Sequence, residues 1–257
     1  MGRTLTDRTT WRTWDDFWGD LILVRFPESN PELWDRRQAK AEWVWHTLGL
    51  WEGARVLDLG CGDGKLDICL ARQGAKVTAM DRLQSVLDHA RAQASEAPVT
   101  FECGDLRSLQ YPDNAFEVAL LFEVTGLMSR SDDNALIVNI AKWLQSGGRL
   151  GVDCPRPPDE APPSSSWDLP EGRLTIASTY DPETRLRHLD PTFRDTKGNA
   201  IRLCHPHDPS KPDHTGVLRY HYPKTELTRM MTEAGFRVRS VPHHSSPENY
   251  FLLVGEV

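Results

Sequence analysis

Cysteine is scarce in this chain of 257 residues, and the five present, at 61, 69, 103, 154 and 204, are odd in number and lack close pairing. That excludes a disulfide framework and a Cys-x-x-Cys zinc site, and leaves reduced thiols in a reducing cytoplasm as the expectation. Long apolar runs are missing as well. No stretch approaches the roughly 20 apolar residues of a membrane span, and the polar N-terminus has no apolar leader segment, so a soluble cytoplasmic protein is expected. Basic runs are also missing. With 30 Lys and Arg against 37 Asp and Glu, the net charge is -7, which disfavours a nucleic-acid partner, because phosphate neutralisation supplies most of such affinity. The balance points to a small-molecule partner and assigns no oligomeric state.

What is present is an ordinary globular composition, 39% hydrophobic and 26% charged, enough for a proper core. Tryptophan is concentrated early: seven of nine lie before residue 52. Trp11, Trp14, Trp18 and Leu21 recur at helical spacing, and Pro31 opens a second helical stretch through Trp34, Trp43 and Trp45. These helices either bury an aromatic face on the main sheet or form a lid over a pocket that must exclude water.

From residue 54 strand and helix alternate. ARVLDLG, AKVTAM, Val99–Cys103, Phe116–Phe122 and Gly148–Asp153 have the apolar, β-branched character of buried parallel strands. Lys65–Arg72, Gln84–Ala94 and a stretch from about Asp133 to Leu144 are helical. This rhythm predicts an α/β fold, a doubly wound parallel sheet with right-handed crossovers and helices on both faces. Residues 154 to 172 then read as a loop dense in proline and serine. RLTIASTY, TRLRHLD, AIRLC and GVLRYHY follow without helices between them, separated by turn residues, and predict antiparallel pairing. A helix over Thr225–Ala234 and strands over Phe236–Val241 and Tyr250–Val254 close the chain. Four segments result: a helical cap over 1–50, an α/β core over 51–153, an inserted loop and antiparallel β subdomain over 154–222, and a completing helix and strands over 223–257.

The chemistry gathers around Gly60-Cys61-Gly62-Asp63-Gly64, between the first strand and its helix. Glycine there lets the backbone turn sharply and approach a ligand that a β-carbon would repel, and the following helix offers free N–H groups. Asp63 is expected to cap that helix. Dinucleotide folds use GxGxxG, whereas this loop is GxGxG, with Asp58 two residues before it. Asp81 ends the second strand, placed to accept hydrogen bonds from two ribose hydroxyls at the carboxyl edge of the sheet. Asp105, in Cys103-Gly104-Asp105-Leu106 after the third strand, can accept from an exocyclic adenine amine.

VLDLGCGDG, VTAM-Asp81, Gly104-Asp105-Leu106, AFEVALLFE at 115–123 and LQSGGRLGVD at 144–153, in this order, resemble the five motifs of the class I S-adenosylmethionine-dependent methyltransferases. The resemblance covers roughly residues 50 to 155 and the tail from Tyr222. It implies a Rossmann-like, mostly parallel sheet with an antiparallel last strand and S-adenosylmethionine bound at its edge. By the same resemblance Gly60, Cys61 and Gly62 would approach the methionine part, and Asp58 would support the loop or meet the ammonium. Asp81, with Arg82 beside it, would hold the ribose. Asp105 would take the adenine amine with Leu106 on the ring, and Phe122 would lie beside the transferring methyl. TYDPETRLRH and LRYHYPKTELTRMMTEAGFRV are similar to small-molecule methyltransferases whose antiparallel insertion covers the acceptor. This chain departs from their usual pattern at Leu218-Arg219-Tyr220-His221.

Methyl transfer from a sulfonium depends mainly on alignment, and a base is needed only where the acceptor carries a proton. Glu123, after the fourth strand, and His221, where the insertion rejoins the core, are the candidates for that base. His205, His207 and the pair His243-His244 read as polar loops, so no metal is expected. Arg37 or Lys40 could reach the cofactor carboxylate from a covering helix, and the tryptophans could cage a cation. The Asn/Asp-Pro-Pro-aromatic and Pro-Cys motifs of nucleic-acid methyltransferases are absent. A small-molecule methyltransferase is therefore the leading reading. A protein or RNA methyltransferase, a non-catalytic methyltransferase-like subunit and a nicotinamide-dependent dehydrogenase are the alternatives.

Overall fold

A computed structural model of the chain describes residue 19 and residues 31–95, 97–158, 164–169, 172–202 and 217–257. The expected helix through Trp11, Trp14, Trp18 and Leu21, and the residues His205 and His207, lie outside this description. The chain divides into two compact units, one of residues 26–156 and 222–257, the other of residues 1–25 and 157–221.

The larger unit is α/β. In order it contains α1 (Pro31–Leu48), β1 (Arg55–Leu59), α2 (Lys65–Arg72), β2 (Lys76–Asp81), α3 (Gln84–Ala94), β3 (Val99–Cys103) and β4 (Phe116–Leu121). Then follow α4 (Arg130–Trp143) and β5 (Leu144–Pro155), and after the second unit α5, β11 and β12. The second unit contributes β6 (Ser165–Leu169), β7 (Gly172–Asp181), β8 (Leu186–Asp195), β9 (Ala200–Arg202) and β10 (Val217–Tyr220). The last three elements of the core are α5 (Lys224–Glu233), β11 (Arg237–Pro242) and β12 (Tyr250–Glu256).

Seven strands form the core sheet in the order β11-β12-β5-β4-β1-β2-β3. β1 to β5 run parallel, while β12 is antiparallel to β5 and β11 antiparallel to β12. Every residue of β4 is buried, which requires cover on both faces of the sheet. α2 packs against both α1 and α3, and α4 packs against α5. The partly buried Trp34, Trp43 and Trp45 of α1 pack on the core, the burial reading of the tryptophan stripe for these three. This topology has one functional consequence. The carboxyl ends of β1 to β5 and of β11 share one edge, with the strand order reversing between β1 and β4, where ligands bind in such sheets.

Three features differ from the sequence expectations. β6 lies inside the segment expected as loop, because its ladder with β7, from Ser165 opposite Ile176 to Leu169 opposite Gly172, is a non-local pairing. β5 begins at Leu144 directly after α4, and a register irregularity between Phe116 and Val118 absorbs the extra residues. β8 continues through Pro191 to Asp195, paired along its length with β7. No helix among the described residues is long and apolar enough to cross a membrane.

The chain re-enters the core at Tyr222, which is fully buried. Its hydroxyl donates to Asp133 Oδ2 at 2.9 Å, and the Gly126 N–H donates to the same oxygen at 2.9 Å. A hydrogen bond to a carboxylate contributes about 1.5–3 kcal/mol. Tyr222→Phe is therefore expected to lower the unfolding free energy of the chain by about that amount in urea titration. An unchanged midpoint would show that the bond contributes nothing.

Candidate active site

The glycine loop is fastened to the neighbouring strand by its own backbone. Gly60 N and Cys61 N both donate to Met80 O at 2.9 Å, and Gly64 N donates to Cys61 O at 3.2 Å. Gly60, Gly62 and Gly64 have φ of 91, 56 and 67°, conformations open to glycine at little cost. Their surroundings differ. A β-carbon on Gly60 would meet Val124 at 2.4 Å and one on Gly64 would meet Ala90 and Phe101 at 2.8 Å, whereas one on Gly62 would meet nothing within 4 Å. Gly60 and Gly64 are thus glycine for packing, while Gly62 faces open space. Gly64, not Asp63, occupies the N-cap position of α2. Asp63 instead accepts from Lys65 N at 3.3 Å and from Lys65 Nζ at 3.2 Å, a buried pair.

Asp81 is anchored rather than free. Gly62 N donates to its Oδ2 at 3.0 Å and Leu83 N to its Oδ1 at 3.0 Å. The carboxylate oxygens keep lone pairs beyond those that these N–H groups occupy, so Asp81 can still accept from a ligand. Burial raises its pKa, against the backbone N–H groups of Leu83, Gly62 and Arg82 that lower it. Arg82 beside it is exposed, and the Cys61 thiol is pushed up by burial and surrounding carboxylates. Asp105 is gripped by its near neighbour Arg107, with Nε to Oδ1 at 2.9 Å and Nη2 to Oδ2 at 2.5 Å. That contact holds the carboxyl at about 2. Leu106 is half-buried next to it.

Asp58 is 4% exposed near the end of β1, and behind it Asp67 of α2 is fully buried. Burial pushes Asp58 up to about 6 and Asp67, with the Asp58 carboxyl beside it, well above the ordinary carboxylate range.

Beyond the switch point lies a second group. Phe122 is buried after β4, and Glu123 follows with φ 59°, a left-handed conformation uncommon outside glycine and found at functional turns. Its N–H donates to Asp153 Oδ1 at 2.5 Å. The Glu123 side chain is 62% exposed, with Lys40 Nζ of α1 at 3.9 Å from Oε1. The same ammonium stands 3.8 Å from Asp153 Oδ2 and 4.8 Å from the centre of the Phe122 ring. His243, after β11, brings Nε2 to 3.5 Å from Asp153 Oδ2. Burial raises the Asp153 carboxyl, but His243, Lys40 and the Glu123 N–H together hold it below the usual range.

Asp58, Gly60, Cys61, Gly62, Asp81, Arg82, Asp105, Leu106, Phe122 and Glu123 all follow or end strands of the core unit. His221 belongs to the other unit; its N–H donates to Arg185 O at 2.9 Å and its ring stands edge-on to Tyr180 at 5.6 Å. The sequence reading missed Asp67, Asp153 and His243. Asp153 was findable by the rule that located Asp81, an acid ending a strand. The pair His243-His244 is not uniformly a polar loop: His244 is exposed, while His243 is 9% exposed and turned inward. Of the two covering-helix candidates, Lys40 reaches this cluster. Among the described residues no group of His, Cys, Asp and Glu is spaced to hold a metal ion.

Comparison with known proteins agrees with this architecture. A family profile described as a methyltransferase domain matches residues 56–148. The chain is 34% identical over 138 residues to the cypemycin N-terminal methyltransferase of a Streptomyces species, covering 51% of this chain and 56% of that protein. It is 33% identical over 101 residues to a ubiquinone biosynthesis O-methyltransferase of Coxiella burnetii, covering 38% and 42%. The chain thus spans about half the length of these curated relatives. Among solved structures, an S-adenosylmethionine-dependent methyltransferase from Clostridium acetobutylicum superposes with a TM-score of 0.69 at 14% identity, over 95% of this chain and 98% of that one.

Asp58 and Asp67 bind protons more tightly folded than unfolded. Their contribution to stability is therefore fully present below the ordinary carboxylate range and is lost as pH rises through about 6, where Asp58 ionises. Asp67→Asn removes one acid from this pair. Its melting temperature should gain on that of the parent between pH 4 and pH 8, by about 2–4 °C per kcal/mol. A difference that stays constant with pH would show that burial does not raise the proton affinity of these carboxyls.

Proposed function

We propose that this chain, a member of the class I S-adenosylmethionine-dependent methyltransferases by its matched core and its fold, transfers a methyl group to an O, N or C atom of a small molecule. The observation that carries this reading is the anchored Asp81 carboxylate, with spare acceptor capacity beside the open face of Gly62. A ribose diol needs two acceptors at a carboxyl edge approached closely by backbone, and these residues fit it.

Bound there, S-adenosylmethionine would supply a methyl group activated by its sulfonium. Asp81 would hold the ribose hydroxyls. Asp105 would accept from the adenine amine, with Arg107 keeping it ionised and Leu106 against the ring. Asp58 would face the ammonium of the methionine part, and the Lys40 ammonium, between Glu123 and Asp153, its carboxylate. Phe122, buried beneath Lys40, excludes water where the methyl would lie. The protein's contribution is chiefly alignment, which supplies most of the acceleration in such a displacement. A small acceptor is favoured by the net charge of -7, and the names of the two relatives, an N-terminal methyltransferase and an O-methyltransferase, keep both nitrogen and oxygen acceptors in view.

Calorimetry of the full chain tests the cofactor half of this proposal. S-adenosylmethionine should bind, NAD should not, and Asp81→Ala should weaken binding by roughly 1–3 kcal/mol. NAD binding without S-adenosylmethionine binding would overturn the reading, and an unchanged affinity in Asp81→Ala would remove the ribose role. Mass spectrometry of a metabolite library incubated with the chain and cofactor would identify the acceptor by its added methyl group.

A further inference from the structure

Three buried or nearly buried polar groups converge beyond the switch point without the hydrogen bonds that burial demands. Asp153 Oδ2 and His243 Nδ1 are buried and have no hydrogen-bond partner among the described residues. Lys40 Nζ, on a side chain 12% exposed, stands 3.9 Å from Glu123 and 3.8 Å from Asp153, beyond hydrogen-bond length. The His243 ring is held on two sides. It stacks on Tyr250 at 5.1 Å and 29°, and Trp43 lies 5.9 Å away. Its Nε2 lies 3.5 Å from Asp153 Oδ2. A carboxylate there favours the tautomer with hydrogen on Nε2, which leaves the lone pair on Nδ1. Among the described residues no donor fills that lone pair.

The position matches this chemistry. Asp153 lies near the carboxyl end of β5, and His243 directly follows β11, whose carboxyl end shares the same edge. Glu123 and Phe122, next to Asp153, border the strand-order reversal. The cofactor candidates Asp81 and Asp105 lie on the other side, after β2 and β3.

We propose that His243 takes the proton from the methyl acceptor, with Asp153 as its positioning residue, and that the acceptor is accordingly a hydroxyl or ammonium compound rather than a carbon nucleophile. This rests on the methyltransferase reading above. The N–H or O–H bond of the acceptor breaks and its proton passes to Nδ1. The acceptor lone pair so freed forms the bond to the methyl carbon while the carbon–sulfur bond breaks, its electron pair staying on sulfur as a neutral thioether. His243 is left as imidazolium beside the Asp153 carboxylate and returns its proton to solvent. The other charged or titratable groups acting on the ring are Lys40 of α1, the adjacent His244, and Glu248 of the following loop.

Nitrogen-15 NMR of the full chain without cofactor tests the assignment first. His243 should show the Nε2–H tautomer when neutral, and Asp153→Asn should abolish that preference. An Nδ1–H tautomer in the parent, or an Nε2–H preference unmoved in Asp153→Asn, overturns the proposal whether or not an acceptor is in hand. With the acceptor found by mass spectrometry, His243→Gln should lower kcat by about 100- to 10,000-fold. It should also lose the acidic limb of the pH profile, while binding S-adenosylmethionine as the parent does by calorimetry. Added imidazole should restore part of the rate to His243→Ala. Intact methylation with the parent pH profile in His243→Gln refutes the role of His243 alone. Loss of cofactor binding in the parent chain refutes the methyltransferase reading instead.

Discussion

A carboxylate buried at the end of a strand is tolerable only where positive charge or N–H groups replace the water it has lost. Asp153 is the place where this chain meets that demand with groups from three separate elements. The Glu123 N–H after β4, the Lys40 ammonium of α1 and the His243 ring after β11 all converge on the one side chain of β5. The covering helix, strands β4 and β5 and the edge strand β11 are thereby tied together at the edge where the methyl transfer is proposed. The left-handed backbone of Glu123 belongs to the same arrangement, since its N–H is one of those ties.

That edge divides into two chemically different halves. Around β1, β2 and β3 the carboxylates are fixed by local partners: Asp81 by Gly62 and Leu83, and Asp105 by Arg107. These are rigid acceptors suited to a ligand with hydroxyls and amines. Around β4, β5 and β11 the groups lie at ion-pair distances with unfilled hydrogen-bonding capacity, among the aromatic rings of Phe122, Trp43 and Tyr250. Such a half is suited to a partner that brings its own donors and protons. The proposed methyl transfer joins the two halves at the point where the strand order reverses.

Legibility in the sequence followed locality. The alternating strands and helices, the glycine loop and Asp81 were readable because each depends on residues within one strand–turn–helix unit. Asp67 stands among apolar residues of α2, and nothing in its own turn marks it as the partner of Asp58. Arg107 lies two residues from Asp105, yet Asp105 was read for the ligand it could accept and not for its neighbour. β6 was hidden because proline and serine signal loop, while its hydrogen bonds come from β7. His243 and Lys40 were least legible. Their meaning comes from Asp153, far away in sequence, and only the sheet order β11-β12-β5-β4 brings them to it.

The most direct test of the two-halves account is a crystal structure of the full chain with S-adenosylhomocysteine, the product that keeps the ribose and adenine. The account predicts the ribose hydroxyls within hydrogen-bond distance of Asp81, the adenine toward Asp105 and Leu106, and the sulfur directed toward Phe122, with the Asp153–His243 side left for the acceptor. A nucleoside bound along Asp153 and His243, or one that avoids the Gly60–Gly64 loop, would contradict it.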